Sequence, residues 1–309
     1  MEQKNILSVK NLKKIYSSKQ TGDTPALIDL NLDVKEGEIF GLLGPNGAGK
    51  TTFINILAGT VIKTAGQVKV WGFDLDQDPR QVRASVGIMP QEVNLDPFFS
   101  PRKLLELQAG LYGIKEKDRI TDTILKLVSL EKQANSYARS LSGGMKRRLL
   151  MAKALVHQPP ILFLDEPTAG VDVELRQNLW KNVRILNDLG VTIILTTHYL
   201  EEAEEMCNRI AILNKGNIVA LDSTKNLLDR IQTKKVTFKT NKKIDIKGGD
   251  LESLKIISNL ENEICVSYEK SKTNIEELMN LIKKNNAQIK DISTDDGDLE
   301  DVFLRLIKN

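Results

Sequence analysis

The sequence predicts an α/β protein with a mainly parallel sheet, followed by a small α+β domain. Apolar runs short enough to be buried strands, such as Ile161–Leu164 and Val191–Leu195, alternate with helical patterns over the first two thirds of the chain. This alternation is typical of a mainly parallel sheet with helices on both faces. A chain of 309 residues is too long for a single hydrophobic core of ordinary size. Its composition also changes past about Leu221, where lysines become frequent. We therefore predict a large domain over residues 1–221 and a small one over residues 222–309.

The first part of the chain is predicted to be rich in strands. Leu7–Val9 and Ile28–Val34 alternate apolar and polar residues, which is the pattern of half-buried strands. The apolar run Ile39–Leu43 stops at a glycine-rich loop, and a helical pattern follows over Thr51–Leu57. The chain thus presents the order strand, loop, helix around this loop.

The middle of the chain changes to helical patterns from about Ser100 to Leu155. Apolar residues recur there at helical spacing, at Ile120, Ile124, Leu127 and Val128. A second helical face ends near Gly190 and consists of Leu175, Leu179, Val183 and Leu186. An acidic helix is predicted over Tyr199–Met206.

The small domain begins after residue 221 and mixes strands with helices. Ile264–Val266 reads as a strand and Asn274–Ile282 as a helix. A last helix is expected after Gly297, with Asp298 as its N-cap. Its apolar face would consist of Leu299, Val302, Phe303 and Leu306.

Composition narrows the class of protein. Hydrophobic residues make up 41% and charged residues 28%, as in ordinary globular proteins, and the net charge is only +3. That charge is too small to favour nucleic acid as a partner. The two cysteines, Cys207 and Cys265, read as free thiols in a reducing compartment. The longest apolar runs are too short to span a bilayer, and Met1–Asn11 lacks the apolar core of a signal peptide. We expect a soluble protein that reaches any membrane process through another chain.

The glycine-rich loop matches the P-loop pattern at every required position. It consists of Gly44, Pro45, Asn46, Gly47, Ala48, Gly49, Lys50 and Thr51, with Thr52 following. Glycines let backbone N–H groups wrap phosphate oxygens, and the helix that follows directs its positive end at the same anion. Lys50 would reach the terminal phosphates and Thr51 would offer its hydroxyl to Mg²⁺. A chance glycine turn is the alternative, which the strand and helix on either side disfavour.

Two acids follow the apolar run at Ile161–Leu164. Asp165 at a strand end can hold Mg²⁺, directly or through water. Glu166 is then placed to polarise an attacking water as a general base, an effect worth about 10²–10⁴ in rate. A pair of solvated acids at the start of a loop is the alternative, because adjacent acids are common.

The segment Leu141-Ser142-Gly143-Gly144-Met145 resembles the Leu-Ser-Gly-Gly-Gln signature of ATP-binding cassette (ABC) ATPases. We expect Ser142, Gly143 and Gly144 to form a second phosphate cradle ahead of a helix from about Met145 to Val156. The resemblance implies a P-loop ABC cassette with an antiparallel β subdomain and a helical subdomain over about residues 92–156. It also implies a homodimer, or a pair of cassettes, that closes head to tail around two ATP. Met145 departs from the usual glutamine and removes any side-chain hydrogen bond from that position.

Further positions are similar to those of the family, over about residues 4–220. Tyr16 lies where an aromatic ring stacks on adenine, with an ordinary surface tyrosine as the alternative. Gln91 resembles the hinge glutamine that contacts Mg²⁺ or water. Asp172 resembles a residue of the loop that crosses the dimer interface. His198 lies where the family's switch histidine touches the γ-phosphate, whereas His157 matches no catalytic position.

The resemblance extends to one branch of the family. DNA-repair ABC ATPases carry long coiled coils between the P-loop and the signature, whereas only 90 residues separate Lys50 from Leu141 here. Translation factors of the family carry two cassettes, whereas this chain has one copy of each motif. These non-transport ATPases remain the alternative but are disfavoured. Gly144–Arg148, Thr168–Asp172 and Leu299–Phe303 are similar to bacterial export ATPases that serve separate permeases of the ABC-2 type. This implies a protein on the cytoplasmic face of the cell membrane that meets the membrane only through its permease. Phe98 and Phe99 would line the permease groove, unless they pack in the core of the helical subdomain.

Overall fold

The computed structural model describes residues 4–18, 22–244, 254–295 and 297–308. The chain divides into two compact units, Met1–Asp222 and Ser223–Asn309. The first unit contains two sheets, and the second contains one sheet of four strands. Within the described ranges no helix combines the length and the apolar character that a bilayer crossing requires.

A six-stranded sheet forms the centre of the first unit. In spatial order its strands are β10 (Asn217–Ser223), β9 (Arg209–Asn214), β3 (Ile39–Leu43), β8 (Thr192–Thr197), β7 (Ile161–Asp165) and β6 (Val86–Met89). The five strands from β9 to β6 are parallel. Every residue of β3, β7 and β8 is buried, as expected for parallel strands covered on both faces. The mainly parallel sheet predicted from the sequence is confirmed.

An antiparallel sheet lies at the start of the chain. In spatial order its strands are β2 (Gly22–Lys35), β1 (Asn5–Ser18), β4 (Ala65–Val70) and β5 (Phe73–Asp74). Leu30, Leu32 and Val34 are buried as the alternation predicts, but the placement of Ile28 on the same face is wrong. Ile28 is 41% exposed because the pairing of β1 with β2 shifts between Leu12↔Leu30 and Lys14↔Leu27. The extra residue on β2 turns Leu27 inward in its place.

Helices cover the parallel sheet and fill the predicted helical region. They are α1 (Lys50–Ala58), α2 (Pro79–Ala84), α3 (Pro101–Leu111), α4 (Thr121–Leu127), α5 (Gly143–Leu155), α6 (Val173–Asp188) and α7 (Leu200–Met206). α1 anchors the loop before it, because Phe53 of α1 meets Phe163 of β7 edge to face with ring centroids 6.4 Å apart. Both rings are fully buried, and burying such a side chain contributes about 1.5–3 kcal/mol. The first turn of α1 is therefore held rigidly against the sheet.

The second unit is a small α+β fold. Its sheet has the order β12 (Leu254–Asn259), β13 (Glu263–Glu269), β11 (Thr233–Thr240) and β14 (Ile289–Asp295), with antiparallel pairing. Its helices are α8 (Thr224–Asp229), α9 (Ile275–Lys284) and α10 (Leu299–Lys308). Leu278 and Ile282 of α9 share a buried cluster with Val236 and Phe238 of β11. The last helix begins as predicted, since the Asp301 N–H donates to Asp298 Oδ1 at 3.1 Å.

Candidate nucleotide site

The P-loop connects β3 to α1 and ends at a buried lysine. Lys50 is only 7% exposed, and its Nζ donates to the carbonyl oxygens of Gly44 at 2.7 Å and Pro45 at 3.3 Å. Burial lowers the pKa of this ammonium, and the charges of Asp165 and Glu166 act in the opposite direction. Among the described residues no carboxylate lies within ion-pair distance of its Nζ. Within the part of the chain that the structure describes, this positive charge thus has carbonyl oxygens as its hydrogen-bond partners.

The first turn of α1 leaves its backbone donors uncapped. Gly49 occupies the N-cap position at φ +112° and gives no side-chain hydrogen bond to the helix. A side chain could not replace it, because a Cβ there would lie 2.6 Å from the Ala26 carbonyl oxygen. Thr51 and Thr52 follow in the first turn, with Thr51 exposed. Uncapped N–H groups beside a cation suit a polyphosphate, so these residues fit the predicted anion.

Asp165, the last residue of β7, and Glu166, which follows it, lie in different environments. Asp165 is 7% exposed and accepts a hydrogen bond from the hydroxyl of Thr196 on β8. Burial raises the pKa of Asp165, the Thr196 hydrogen bond lowers it, and the neighbouring Glu166 charge raises it. Glu166 adopts a left-handed backbone conformation at φ +46°, with its N–H donating to the Thr196 carbonyl oxygen at 3.0 Å. This turn directs the second carboxylate away from the strand.

Three of the predicted residues meet at one carboxylate oxygen. Glu166 Oε2 accepts from Gln91 Nε2 at 2.9 Å and lies 3.1 Å from His198 Nδ1. The imidazole of His198 therefore faces this carboxylate through Nδ1. Gln91 comes from the segment after β6 and His198 from the segment after β8. The ends of neighbouring parallel strands thus bring together residues that are far apart in sequence.

The second glycine-rich segment begins a helix instead of preceding one. The expectation that the helix starts near Met145 is wrong, because α5 begins at Gly143 with Ser142 as its N-cap. Ser142 Oγ accepts from the Met145 N–H at 3.3 Å. A Cβ on Gly144 would lie 2.0 Å from Leu175 Cδ2, so Gly144 packs closely against this side chain of α6. These residues line a cavity of about 560 Å³.

Two predicted site residues lie apart from the Glu166 cluster. Tyr16 is on β1 and 41% exposed, with Lys14 Nζ 4.6 Å from its ring centroid. Its ring is therefore available for stacking, and an ordinary surface position stays open as the alternative. Asp172 is the N-cap of α6, where its Oδ1 accepts from the Leu175 N–H at 2.9 Å. It also lines the cavity at Ser142–Gly144.

Sequence reasoning gave no role to Arg147, which links α5 to the end of β7. Its guanidinium donates to the carbonyl oxygens of Glu166 at 3.2 Å, Pro167 at 3.3 Å and Ala169 at 2.5 Å. Burial lowers the pKa of Arg147, and the charge of Glu166 opposes that shift. The carbonyl partners lie about 20 residues further along the chain, so no local pattern announces them.

Comparison with known proteins agrees with this geometry. The family model described as ABC transporter matches residues 27–169. The Nod factor export ATP-binding protein I of Cupriavidus pinatubonensis is 39% identical over 226 residues, covering 72% of this chain and 69% of the relative. The chain belongs to the ABC transporter family. The linearmycin resistance ATP-binding protein LnrL of Bacillus subtilis is 36% identical over 228 residues, covering 73% of this chain and 72% of that protein.

Solved structures of ABC cassettes share the fold. A dimeric cassette in a post-hydrolysis state, bound to ADP and Pi, superimposes with a TM-score of 0.63 at 28% identity over 71% of this chain and 98% of that one. An ATP-binding subunit of an ABC transporter gives a TM-score of 0.64 at 28% identity, over 73% and 92% of the two chains. This ABC protein is therefore an ATP-binding subunit and an ATPase, as the signature predicts. The non-transport ATPases considered as an alternative are not favoured.

Proposed function

We propose that this ABC ATPase drives export through a separate ABC-2 type permease, as one of two cassettes that close around two ATP. The observation that carries the proposal is the convergence of Gln91 and His198 on the carboxylate of Glu166. The names of the relatives support the direction of transport, since one exports Nod factor and another confers linearmycin resistance. The chain would act on the cytoplasmic face of the membrane through its permease.

Hydrolysis would use the residues in the following way. Glu166 accepts the proton of the attacking water, and the hydrogen bond from Gln91 keeps its carboxylate in place. Lys50 and the N–H groups of the first turn of α1 balance the negative charge that develops on the phosphates. His198 would hydrogen-bond the γ-phosphate through Nε2, the ring nitrogen that does not face Glu166.

Mg²⁺ fits the remaining oxygen ligands. Thr51 would supply its hydroxyl and Gln91 its amide oxygen, and Asp165 would act through the carboxylate oxygen that does not face Thr196. When bound, the ion neutralises charge on the β- and γ-phosphates. The buried Asp165 would thereby gain a cation partner, which a buried carboxylate needs.

The second phosphate cradle supports pairing of two cassettes. The N-terminus of α5 offers its own donors at Ser142–Gly144, separate from those of α1. A single ATP has one γ-phosphate, so two cradles on one chain suit a head-to-tail pair in which each ATP contacts both copies. The solved structure of a dimeric cassette supports the pairing of two copies. Asp172 lines this second cavity and would lie at the interface.

A mixing experiment tests the shared site. Lys50→Ala removes the P-loop charge, and Gly143→Asp places a carboxylate in the second cradle, where a Cβ meets no atom within 4 Å. Each variant alone should be inactive. An equimolar mixture should recover up to about a quarter of the parental activity, because half of randomly paired dimers hold one intact site of two. An inactive mixture in which heterodimers are demonstrated would contradict the shared site.

A groove beside the Gln91 segment supports docking of a permease helix. It has a volume of about 300 Å³, and its lining includes Pro90, Tyr112 and Lys153. Leu111, which precedes the lining residue Tyr112, is 84% exposed. Burial lowers the pKa of Lys153, and none of the described lining residues is acidic. We infer an apolar permease helix that carries a carboxylate.

Phe98 and Phe99, expected from the sequence to line the permease groove, are not among its described lining residues and lie on the surface of the helical subdomain. Phe98 is 66% exposed and Phe99 is 38% exposed, which disfavours the alternative of core packing. Phe98→Glu and Leu111→Glu should abolish co-purification with a six-helix membrane protein encoded beside this chain, and leave nucleotide binding intact. Leu189→Glu is the control, since Leu189 is 74% exposed and follows α6, outside the helical subdomain. Parental co-purification of Leu111→Glu would contradict the docking site.

A further inference from the structure

Glu202 is a buried carboxylate that the proposed hydrolysis does not use. It lies on α7 and is 5% exposed. Its Oε2 accepts from the hydroxyls of Thr168 at 2.7 Å and Thr197 at 3.3 Å. Its Oε1 forms an ion pair with Arg176 Nε at 3.2 Å, and neither of these two atoms has a hydrogen-bond partner among the described residues. A carboxylate is retained in such a site only where donors and a cation satisfy it.

The partners of Glu202 come from the three segments that carry the proposed site residues. Thr168 is two residues after Glu166, and Thr197 immediately precedes His198. Arg176 lies on α6, whose N-cap is Asp172. One side chain therefore connects the end of β7, the end of β8 and the start of α6.

A second path leads from Glu202 to the histidine ring. The Arg176 guanidinium lies 5.1 Å from the ring centroid of Tyr199, and that ring lies 4.1 Å from the imidazole of His198. The His198 side chain is 48% exposed, so its position depends on these neighbours and on Glu166 Oε2. Movement of Arg176 or Thr197 would therefore reach the imidazole.

We propose that Glu202 is a positioning residue, which holds His198 and Glu166 in the relative arrangement that hydrolysis requires. This rests on the roles proposed for those two residues. Glu202 itself touches neither nucleotide nor water in the reaction. Its effect is transmitted through the hydroxyls of Thr168 and Thr197 and through Arg176.

Glu202→Gln tests this role because an amide cannot replace the carboxylate. Hydroxyl donors face Oε2 and a guanidinium faces Oε1. Either orientation of the amide turns its NH₂ group toward one of these donors. A misplacement of this kind should lower kcat by about 10- to 100-fold. The KM for ATP should change less than twofold, since the P-loop is untouched.

Glu205→Gln is a matched control on the same helix. Glu205 pairs with Arg184 at 2.6 Å, so it joins α7 to α6 as Glu202 does, but both side chains are more than half exposed. This variant should keep the parental kcat. A kcat of Glu202→Gln within twofold of the parental value would overturn the proposal, as would an equal loss in Glu205→Gln.

A hydroxyl series keeps the test decisive if Glu202→Gln fails to fold. Thr168→Ser retains the hydroxyl donor and should keep the parental kcat, whereas the near-isosteric Thr168→Val should lower it. If the role were only structural, Thr168→Val would lower the melting temperature and leave kcat unchanged, which would overturn the proposal. Retained activity in Glu166→Gln would instead reject the proposed function, so the two failures are distinguishable.

The histidine count permits a direct spectroscopic readout. The chain contains two histidines, His157 and His198. His157 stacks on Tyr112 with ring centroids 3.8 Å apart and serves as an internal reference. In protein labelled with ¹⁵N-histidine, Glu202→Gln should change the ring nitrogen shifts of His198 and leave those of His157 unchanged. Unchanged shifts of both histidines would contradict the proposed positioning.

Discussion

Two adjacent glycines of the second cradle have opposite structural constraints. A Cβ on Gly143 meets no atom within 4 Å, whereas a Cβ on Gly144 would lie 2.0 Å from Leu175 Cδ2 and 3.0 Å from its Cγ. The backbone of Leu175 is held by its N–H donating to Asp172 Oδ1 at 2.9 Å, so the leucine side chain must move. Gly144→Ala should therefore lower the free energy of unfolding by about 1–3 kcal/mol, the usual cost of overpacking. Gly143→Ala should raise it by about 0.4–1 kcal/mol, because it restricts the unfolded chain without strain.

Urea unfolding of the two variants under identical conditions measures this difference. Substitution of Leu175 by Ala in the Gly144→Ala background removes the colliding atoms, so the two substitutions should not be additive. ATP hydrolysis should fall in Gly143→Ala in spite of its greater stability, since the added methyl group occupies the cradle. Equal stability of the two single variants would refute the assignment of Gly144 to helix packing and Gly143 to ligand binding.

Three further predictions concern the P-loop, a helix cap and a buried acid. Lys50→Ala should weaken binding of a fluorescent ATP analogue by about 10- to 100-fold, and an unchanged Kd would contradict the role of its ammonium. Asp172→Ala should lower the free energy of unfolding by about 0.5–2 kcal/mol through loss of the N-cap, while Asp172→Asn should retain it in urea titrations. Burial raises the pKa of Asp165 above 3.8, its value in the unfolded chain. The free energy of unfolding therefore falls as the pH rises from 3.8 through the pKa of the folded state. Asp165→Asn, which keeps an acceptor for Thr196, should therefore be more stable than the parent at pH 7, and this gain should vanish well below pH 3.8; a gain that persists there would contradict it.

Local patterns were sufficient to predict much of the fold. The strand Ile39–Leu43, the loop after it and the apolar run ending at Asp165 lie where the sequence indicates. A run of consecutive apolar residues needs no partner strand to be recognised. The predicted burial of Ile28 was wrong because its exposure depends on the bulge that forms where β2 pairs with β1. The predicted start of α5 was wrong because Gly143 and Gly144 suggest a loop, whereas Ser142 caps a helix that already includes them.

Motifs predicted the residues of the proposed site, and they did not predict the residues that support them. Motifs located Glu166 and His198, but nothing in the sequence indicated that Gln91 and His198 would share one oxygen of Glu166. Thr196, Arg147 and Glu202 each contact at least one partner that lies about 20 to 34 residues away. Such contacts arise from the order of strands in the sheet, which no short motif encodes.

The rate of phosphate release by Glu166→Gln tests the central claim most directly. The amide keeps an oxygen for Gln91 and His198, so the substitution removes the proton acceptor with little change of shape. We expect the rate to fall by about 10²–10⁴, the range for loss of a general base, with ATP binding retained. Glu131→Gln, an exposed position in the helical subdomain, is the control and should hydrolyse ATP at the parental rate. A rate of Glu166→Gln within twofold of the parental rate would contradict the account.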